Sequence, residues 1–203
     1  KNASIIIEPR SGCSHDVMLV VFVQAEDAGS PSKRTLIRET WGNATQYDNR
    51  ARLFFVMGVS SVRREENRFD DILQGDYVDY SVQQSFEALF ALRWVSQHCP
   101  GAKFIMRADE AQFVNLFTIL HHLSLITETP YPSRFVMCSV RTDQPVDFRK
   151  QMDVPGELYS ERVFPAFCSV GFYILSQSAA ASLINASSYV PYFAIDDIYV
   201  TGL

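Results

Sequence analysis

The stretch Val17-Met-Leu-Val-Val-Phe-Val23 decides how the rest of the chain is read. It is far shorter than the roughly 20 apolar residues that cross a bilayer, so it reads as a buried central strand. Ahead of it lies an N-terminal arm read as polar. Behind it Glu26 to Ser32 is a loop rich in Gly, Ser and Pro. Ser32 can cap a helix that runs through Thr35 to Trp41 and stops at Gly42-Asn43. Leu53-Phe-Phe-Val-Met57, ending at Gly58, is a second buried strand, and Arg63 to Arg68 is a solvated charged stretch. Ser85 caps a long helix to His98 whose apolar face carries Phe86, Leu89, Phe90, Leu92 and Val95. Further along, Phe104 to Met106, Phe135 to Cys138 and Phe167 to Leu175 read as strands. Asn115 to Leu125 and Ser176 to Ile184 read as helices, Thr142 to Ser160 as an irregular loop, and Asp196-Asp197 opens a last element. Strands alternating with helices predict an α/β domain on a mostly parallel sheet with helices on both faces.

With 203 residues, 47% of them hydrophobic, the chain fits a single domain, residues 1–203. Its formal net charge is -5 and its pI about 5.3. Basic residues are scattered among acids, which argues against nucleic acid as a partner. Cys13, Cys99, Cys138 and Cys168 form no C-x-x-C pair, so disulfides are favoured over zinc, with all three full pairings open. Three sequons, at Asn2, Asn43 and Asn185, fall among only six asparagines and add weight to a secretory lumen. A chain that starts without methionine and ends at Thr201-Gly202-Leu203 reads as an excised piece of a longer one.

Candidate chemistry gathers at acids and arginines. In an extended segment residues i and i+2 point the same way, so D-x-D aims two carboxylates at one divalent cation. In Arg107-Ala-Asp-Glu-Ala111 those places hold Asp109 and Ala111, leaving Glu110 to point elsewhere. A turn or a helix cap is the plainer reading of the Asp109-Glu110 pair. Asp196-Asp197 suits a helix start as well as a catalytic role. Arg34 and Arg38 share one helical face and could receive a diphosphate, or simply be solvated. Neither a Ser-His-Asp order nor a phosphate-cradling glycine loop is present.

Taken together these motifs resemble the β-1,3-galactosyltransferase family of inverting glycosyltransferases (glycosyltransferase family 31). Arg34-Thr-Leu-Ile-Arg-Glu-Thr-Trp-Gly42 is similar to the family's R-x-x-I-R-x-T-W-G. The segment DDILQGDYVDYS, residues 70–81, resembles D-I-I-Q-G-D-F-x-D, and ALRWVSQHCP, residues 91–100, ends like W-V-x-x-H-C-P. Phe164 to Ser169 with Tyr173 resembles Y-P-P-Y-C-S-G-x-G-Y, and Ile195 to Val200 resembles E-D-V-Y-V.

The resemblance implies a GT-A fold and inverting transfer of galactose or N-acetylglucosamine from a UDP-sugar. The acceptor would be a glycan hydroxyl on a glycoprotein or glycolipid, taken in β-1,3 linkage. It also implies manganese held by D-x-D, and a type II membrane protein of the Golgi lumen whose anchor lies outside this fragment. Asp197 would be the catalytic base and Asp109 the metal ligand. Arg34, Arg38, Arg107, Asp109 and Glu110 would contact the donor.

Several departures cluster where that chemistry should be. Ala111 replaces a metal-binding acid, Glu87 replaces a lysine, and Val170 and Phe172 replace two glycines. Gln151 and Met152 fall where the family shows Lys-Trp. The manganese site is therefore expected to be weakened, with Arg107 or Arg38 as substitute positive charge. The alternative expectation is a non-catalytic luminal protein that binds a glycan or supports a partner transferase.

Overall fold

The structure, a computed structural model, describes residues 3–25, 30–59, 68–78, 84–146 and 159–203. In chain order these contain strand β1 (Ile5–Ile7), strand β2 (Leu19–Gln24), helix α1 (Ser30–Glu39), a 3-10 turn (Trp41–Asn43) and helix α2 (Ala44–Tyr47). Next come β3 (Ala51–Met57), β4 (Ile72–Gly75), α3 (Gln84–His98), β5 (Phe104–Asp109), α4 (Leu116–Thr127) and β6 (Val136–Arg141). β7 (Phe167–Ser176), α5 (Gln177–Ala186) and α6 (Asp196–Thr201) complete the described elements.

The seven strands form one sheet in the order β1-β4-β3-β2-β5-β7-β6. β4, β3, β2 and β5 are parallel, and β1, β7 and β6 join through antiparallel pairings. The expected α/β architecture holds, with the apolar stretch Leu19–Gln24 at its centre. Successive side chains of a strand face opposite ways. Val20 and Phe22, with Phe54 and Val56 of β3 and Ile105 of β5, pack beneath Ala88, Leu92 and Val95 of α3 and Ile198 of α6. Leu19, Val21 and Val23, with Phe55, Phe104 and Met106, pack against Ile37 of α1 and Leu116, Leu120 and Leu123 of α4. Each face thus has its own core. Burying an aromatic such as Phe22 or Phe54 contributes about 1.5–3 kcal/mol.

Element ends follow local chemistry. Asn115 accepts the amide of Thr118 at 3.1 Å and starts α4, and Ser176 accepts the amide of Ala179 at 3.2 Å and starts α5. Ser32 and Ser85 lie inside α1 and α3 rather than capping them. The N-terminal arm is not merely polar, since Ile5–Ile7 pairs with β4 and extends the sheet. Charged residues 63–67 and loop residues 147–158, including Gln151 and Met152, lie outside the described residues. The cysteines pair as Cys13–Cys99 and Cys138–Cys168. The first ties the arm to the end of α3, and the second staples β6 to β7.

Candidate active site at the carboxyl end of β5

In β5 the alternate residues Ile105, Arg107 and Asp109 face the α3 and α6 side. Arg107 is only 2% exposed in the middle of the sheet, and a buried guanidinium needs anionic or carbonyl partners. Its Nε donates to the side-chain oxygen of Gln24 at the end of β2, and Gln24 in turn donates to the carbonyl of Gln84 at 2.9 Å. The other two guanidinium nitrogens reach α6. Nη1 donates to Asp197 Oδ1 at 3.1 Å, and Nη2 lies 2.8 Å from Asp196 Oδ2 as an ion pair. α6 starts at these two acids, where carboxylates also meet the positive end of the helix.

The second oxygen of Asp197 accepts the amide of Gly171 at 3.3 Å. Gly171, in β7, has φ +61°, and a Cβ there would stand 2.8 Å from Arg107 Nη1 and 3.5 Å from the Cβ of Asp109. So β5, β7 and the start of α6 converge on one spot. Burial raises the pKa of Asp197 against the pull of Arg107. Burial also pushes Asp196 up to about 6, with Arg107 opposing and Asp197 adding to the rise. For Arg107, burial opposes the charge, but the carboxylates of Asp196, Asp197 and Asp109 hold its pKa up.

Asp109 closes a turn on itself. Its Oδ1 accepts the amide of Ala111 at 2.8 Å, and its own amide donates to the side chain of Gln112 at 3.0 Å. That turn aims Glu110 away from Asp109 and toward α1, where Lys33 Nζ donates to Glu110 Oε1. The Glu110 side chain is 6% exposed and that of Lys33 48%.

The predicted site residues therefore divide. Asp109, Arg107 and Asp197 come together, and Glu110 sits beside them facing Lys33. Arg34 and Arg38 do lie on the inner face of α1. Arg34 is fully buried, and Arg38 forms a two-point ion pair with Asp71 and lies over the rings of Phe55 and Phe69. Arg38 lines a cavity of about 680 Å³ with Asp71, Ala51 and Leu53 at the start of β3, and neither Asp109 nor Asp197 lines it. Glu87 is buried on the first turn of α3, and Phe172 packs on the opposite face of the sheet.

Sequence reasoning missed Gln24, Lys33 and Gly171. A glutamine ending an apolar strand was a visible signal for the first, and a glycine surviving between Val170 and Phe172 for the last. Nothing in the sequence pairs Lys33 with Glu110.

The residues present do not fit a divalent ion. Ala111 supplies a methyl group, Asp109 spends one oxygen on its own turn, and Glu110 is held by an ammonium. Arg107 already occupies the midst of the remaining acids. Among the described residues no three His, Cys, Asp or Glu side chains are grouped to hold a metal ion.

The galactosyltransferase family model matches residues 32–203. The chain is 28% identical over 207 aligned positions to acetylgalactosaminyl-O-glycosyl-glycoprotein beta-1,3-N-acetylglucosaminyltransferase of Mus musculus, covering 95% of this chain and 52% of that protein. It is 30% identical to UDP-GlcNAc:betaGal beta-1,3-N-acetylglucosaminyltransferase 8 of Homo sapiens, covering 95% and 50%. To beta-1,3-galactosyltransferase 2 of Mus musculus it is 26% identical, covering 97% and 49%. It thus spans about half the length of these relatives. With the matched region running from α1 through both acid clusters, the chain belongs to the galactosyltransferase family, glycosyltransferase family 31.

Proposed function

We propose that this domain transfers a hexose, galactose or N-acetylglucosamine, from a UDP-sugar to a glycan hydroxyl in β-1,3 linkage with inversion. The observation that carries the reading is Asp197, half-buried where β5, β7 and α6 meet and gripped at both oxygens by Arg107 and the Gly171 amide. A carboxylate oxygen has two lone-pair sites and each oxygen of Asp197 takes one of these bonds, so a lone pair remains on each for an incoming proton. Burial makes Asp197 more basic than an exposed aspartate, which suits a general base. Asp197 takes the proton of the acceptor hydroxyl as that oxygen bonds to the anomeric carbon. The bond from that carbon to the diphosphate breaks on the opposite face, and UDP leaves with the electron pair.

Arg107 and Gly171 hold the carboxylate in place, while Asp196 anchors the other side of the guanidinium. Manganese, implied by the family resemblance, would find only Asp109, one of whose oxygens is already taken by the Ala111 amide, so no step is routed through it. Residence in the Golgi lumen, with an anchor outside these residues, belongs to the same proposal. Two disulfides support an oxidising compartment. Among the described residues no helix is long and apolar enough to cross a membrane.

The test is transfer from UDP-galactose and UDP-N-acetylglucosamine to a panel of glycans, read by mass spectrometry. Asp197→Asn should lower the rate at least about a hundredfold. Absence of transfer from any UDP-hexose to any acceptor overturns the catalytic reading, and absence of UDP binding as well would favour a non-catalytic protein that binds a glycan or supports a partner transferase.

A further inference from the structure

We infer that Gln24 is a positioning residue for the base: by taking Arg107 Nε, it leaves the two Nη nitrogens to divide between Asp196 and Asp197. This rests on the transfer reading above, in which Asp197 is the base, and names the residue that sets its guanidinium bond. A guanidinium beside a carboxylate ordinarily closes a two-point pair. Two arginines of this chain do so side-on, each through Nε and Nη2. Arg38 pairs that way with Asp71 at 2.7 and 2.9 Å, and Arg50 with Asp48 at 2.9 and 2.6 Å. Arg107 faces two adjacent acids, yet it reaches Asp197 through Nη1 and Asp196 through Nη2, since its Nε donates to Gln24.

Gln24 is itself fixed for this task. It ends β2, is 6% exposed, and stands opposite Asp109 in the parallel pairing of β2 with β5. Its side-chain nitrogen donates to the Gln84 carbonyl at 2.9 Å, at the start of α3, which turns the side-chain oxygen toward Arg107. An amide supplies that acceptor without charge. Asp109 on β5 and Asp196 and Asp197 on α6 already act on the guanidinium, with Tyr173 of β7 beside them, and a further buried carboxylate would add repulsion there. Asp197 is thus oriented by the guanidinium at Oδ1 and the Gly171 amide at Oδ2, and each oxygen keeps a lone pair for the acceptor's proton. Without Gln24, the Arg107 Nε can close on Asp196 together with Nη2, as Arg38 closes on Asp71, and Nη1 is drawn off Asp197.

Gln24→Met keeps the side-chain length and removes the acceptor, and steady-state transfer from the UDP-sugar tests it. kcat should fall at least about tenfold while KM for the UDP-sugar stays within about threefold, since the base is misplaced and no donor contact is removed. The acid limb of the kcat profile should move up by about one pH unit, because Asp197 loses the cation that opposes the effect of burial. In the Arg107→Met background, where no Nε remains, Gln24→Met should cost less than about twofold more, which separates this role from the Gln84 contact. In the wild type, the Arg107 Nε proton should exchange with solvent at least about tenfold more slowly than that of Arg10, whose side chain is 68% exposed.

Gln24→Met with the wild-type kcat and pH profile overturns the inference and leaves the transferase reading standing. Equal losses from Gln24→Met with and without Arg107 do the same. Fast exchange at the wild-type Arg107 Nε also overturns it and needs no variant, so it decides the matter even where a substitution prevents folding. No transfer by the wild-type protein overturns both readings.

Discussion

At Gly171 the backbone carries φ +61° while its amide holds Asp197, so one residue serves both strand geometry and the acid site. An L side chain there pays about 1–2 kcal/mol for the left-handed conformation alone. Its Cβ would also meet Arg107 Nη1 at 2.8 Å, and Arg107 is fixed by Gln24, Asp196 and Asp197. Gly171→Ala should therefore destabilise the domain by more than that amount, read as a lower urea midpoint at unchanged slope. In the same variant Asp197 loses its aim, so transfer should fall further than stability does. Wild-type stability and rate in Gly171→Ala would show that neither the turn nor the amide matters.

β5, β7 and α6 act as one unit because a buried arginine on the first needs both acids on the last. β7 lies alongside β5, with Arg107 opposite Tyr173, and the guanidinium lies 5.9 Å from the Tyr173 ring centre. Burial raises Asp196 to about 6 from an ordinary 3.8. The folded state thus holds a proton there that the unfolded chain has already released. Such a group contributes stability that is complete below about 3.8 and is lost as pH rises through about 6. Asp196→Asn should remove that decline, which amounts to at most about 1.4 kcal/mol per pH unit. Melting temperatures of both proteins between pH 4 and 7, marked off at about unit steps, check it. Parallel pH profiles would place the proton elsewhere.

The same unit shows what could be read beforehand. β5 and β7 were legible as apolar runs, and Asp109 and Asp197 as acids at element ends. Their meeting was not legible, because α6 lies some 90 positions beyond β5 and no periodicity reports so distant a contact. β1 and β4 were missed for another reason. Three and four residues are too few to establish a strand period, and the sheet edge rather than local propensity makes them strands.

Across the whole molecule, two disulfides clamp opposite parts of the sheet. Cys13–Cys99 closes a span of 86 positions, fixing the arm that carries β1, where Glu8 also accepts the Trp94 indole N–H at 3.1 Å. Cys138–Cys168 closes 30 positions and holds β6 across a bulge to the stretch of β7 that leads into Gly171. A crosslink stabilises mainly by limiting the unfolded chain, so each removal should cost about 2–5 kcal/mol. The longer loop should cost more by about 1 kcal/mol, since closure entropy grows with the logarithm of its length. Their effects on function should be reversed in order. Cys13→Ala with Cys99→Ala frees an arm remote from the acids, whereas Cys138→Ala with Cys168→Ala loosens the strand that presents the Gly171 amide to Asp197. Urea unfolding should therefore rank the first pair as the larger loss, and transfer rates measured well below either midpoint should rank the second. An equal loss of activity in both would mean that β7 keeps its register through the sheet alone.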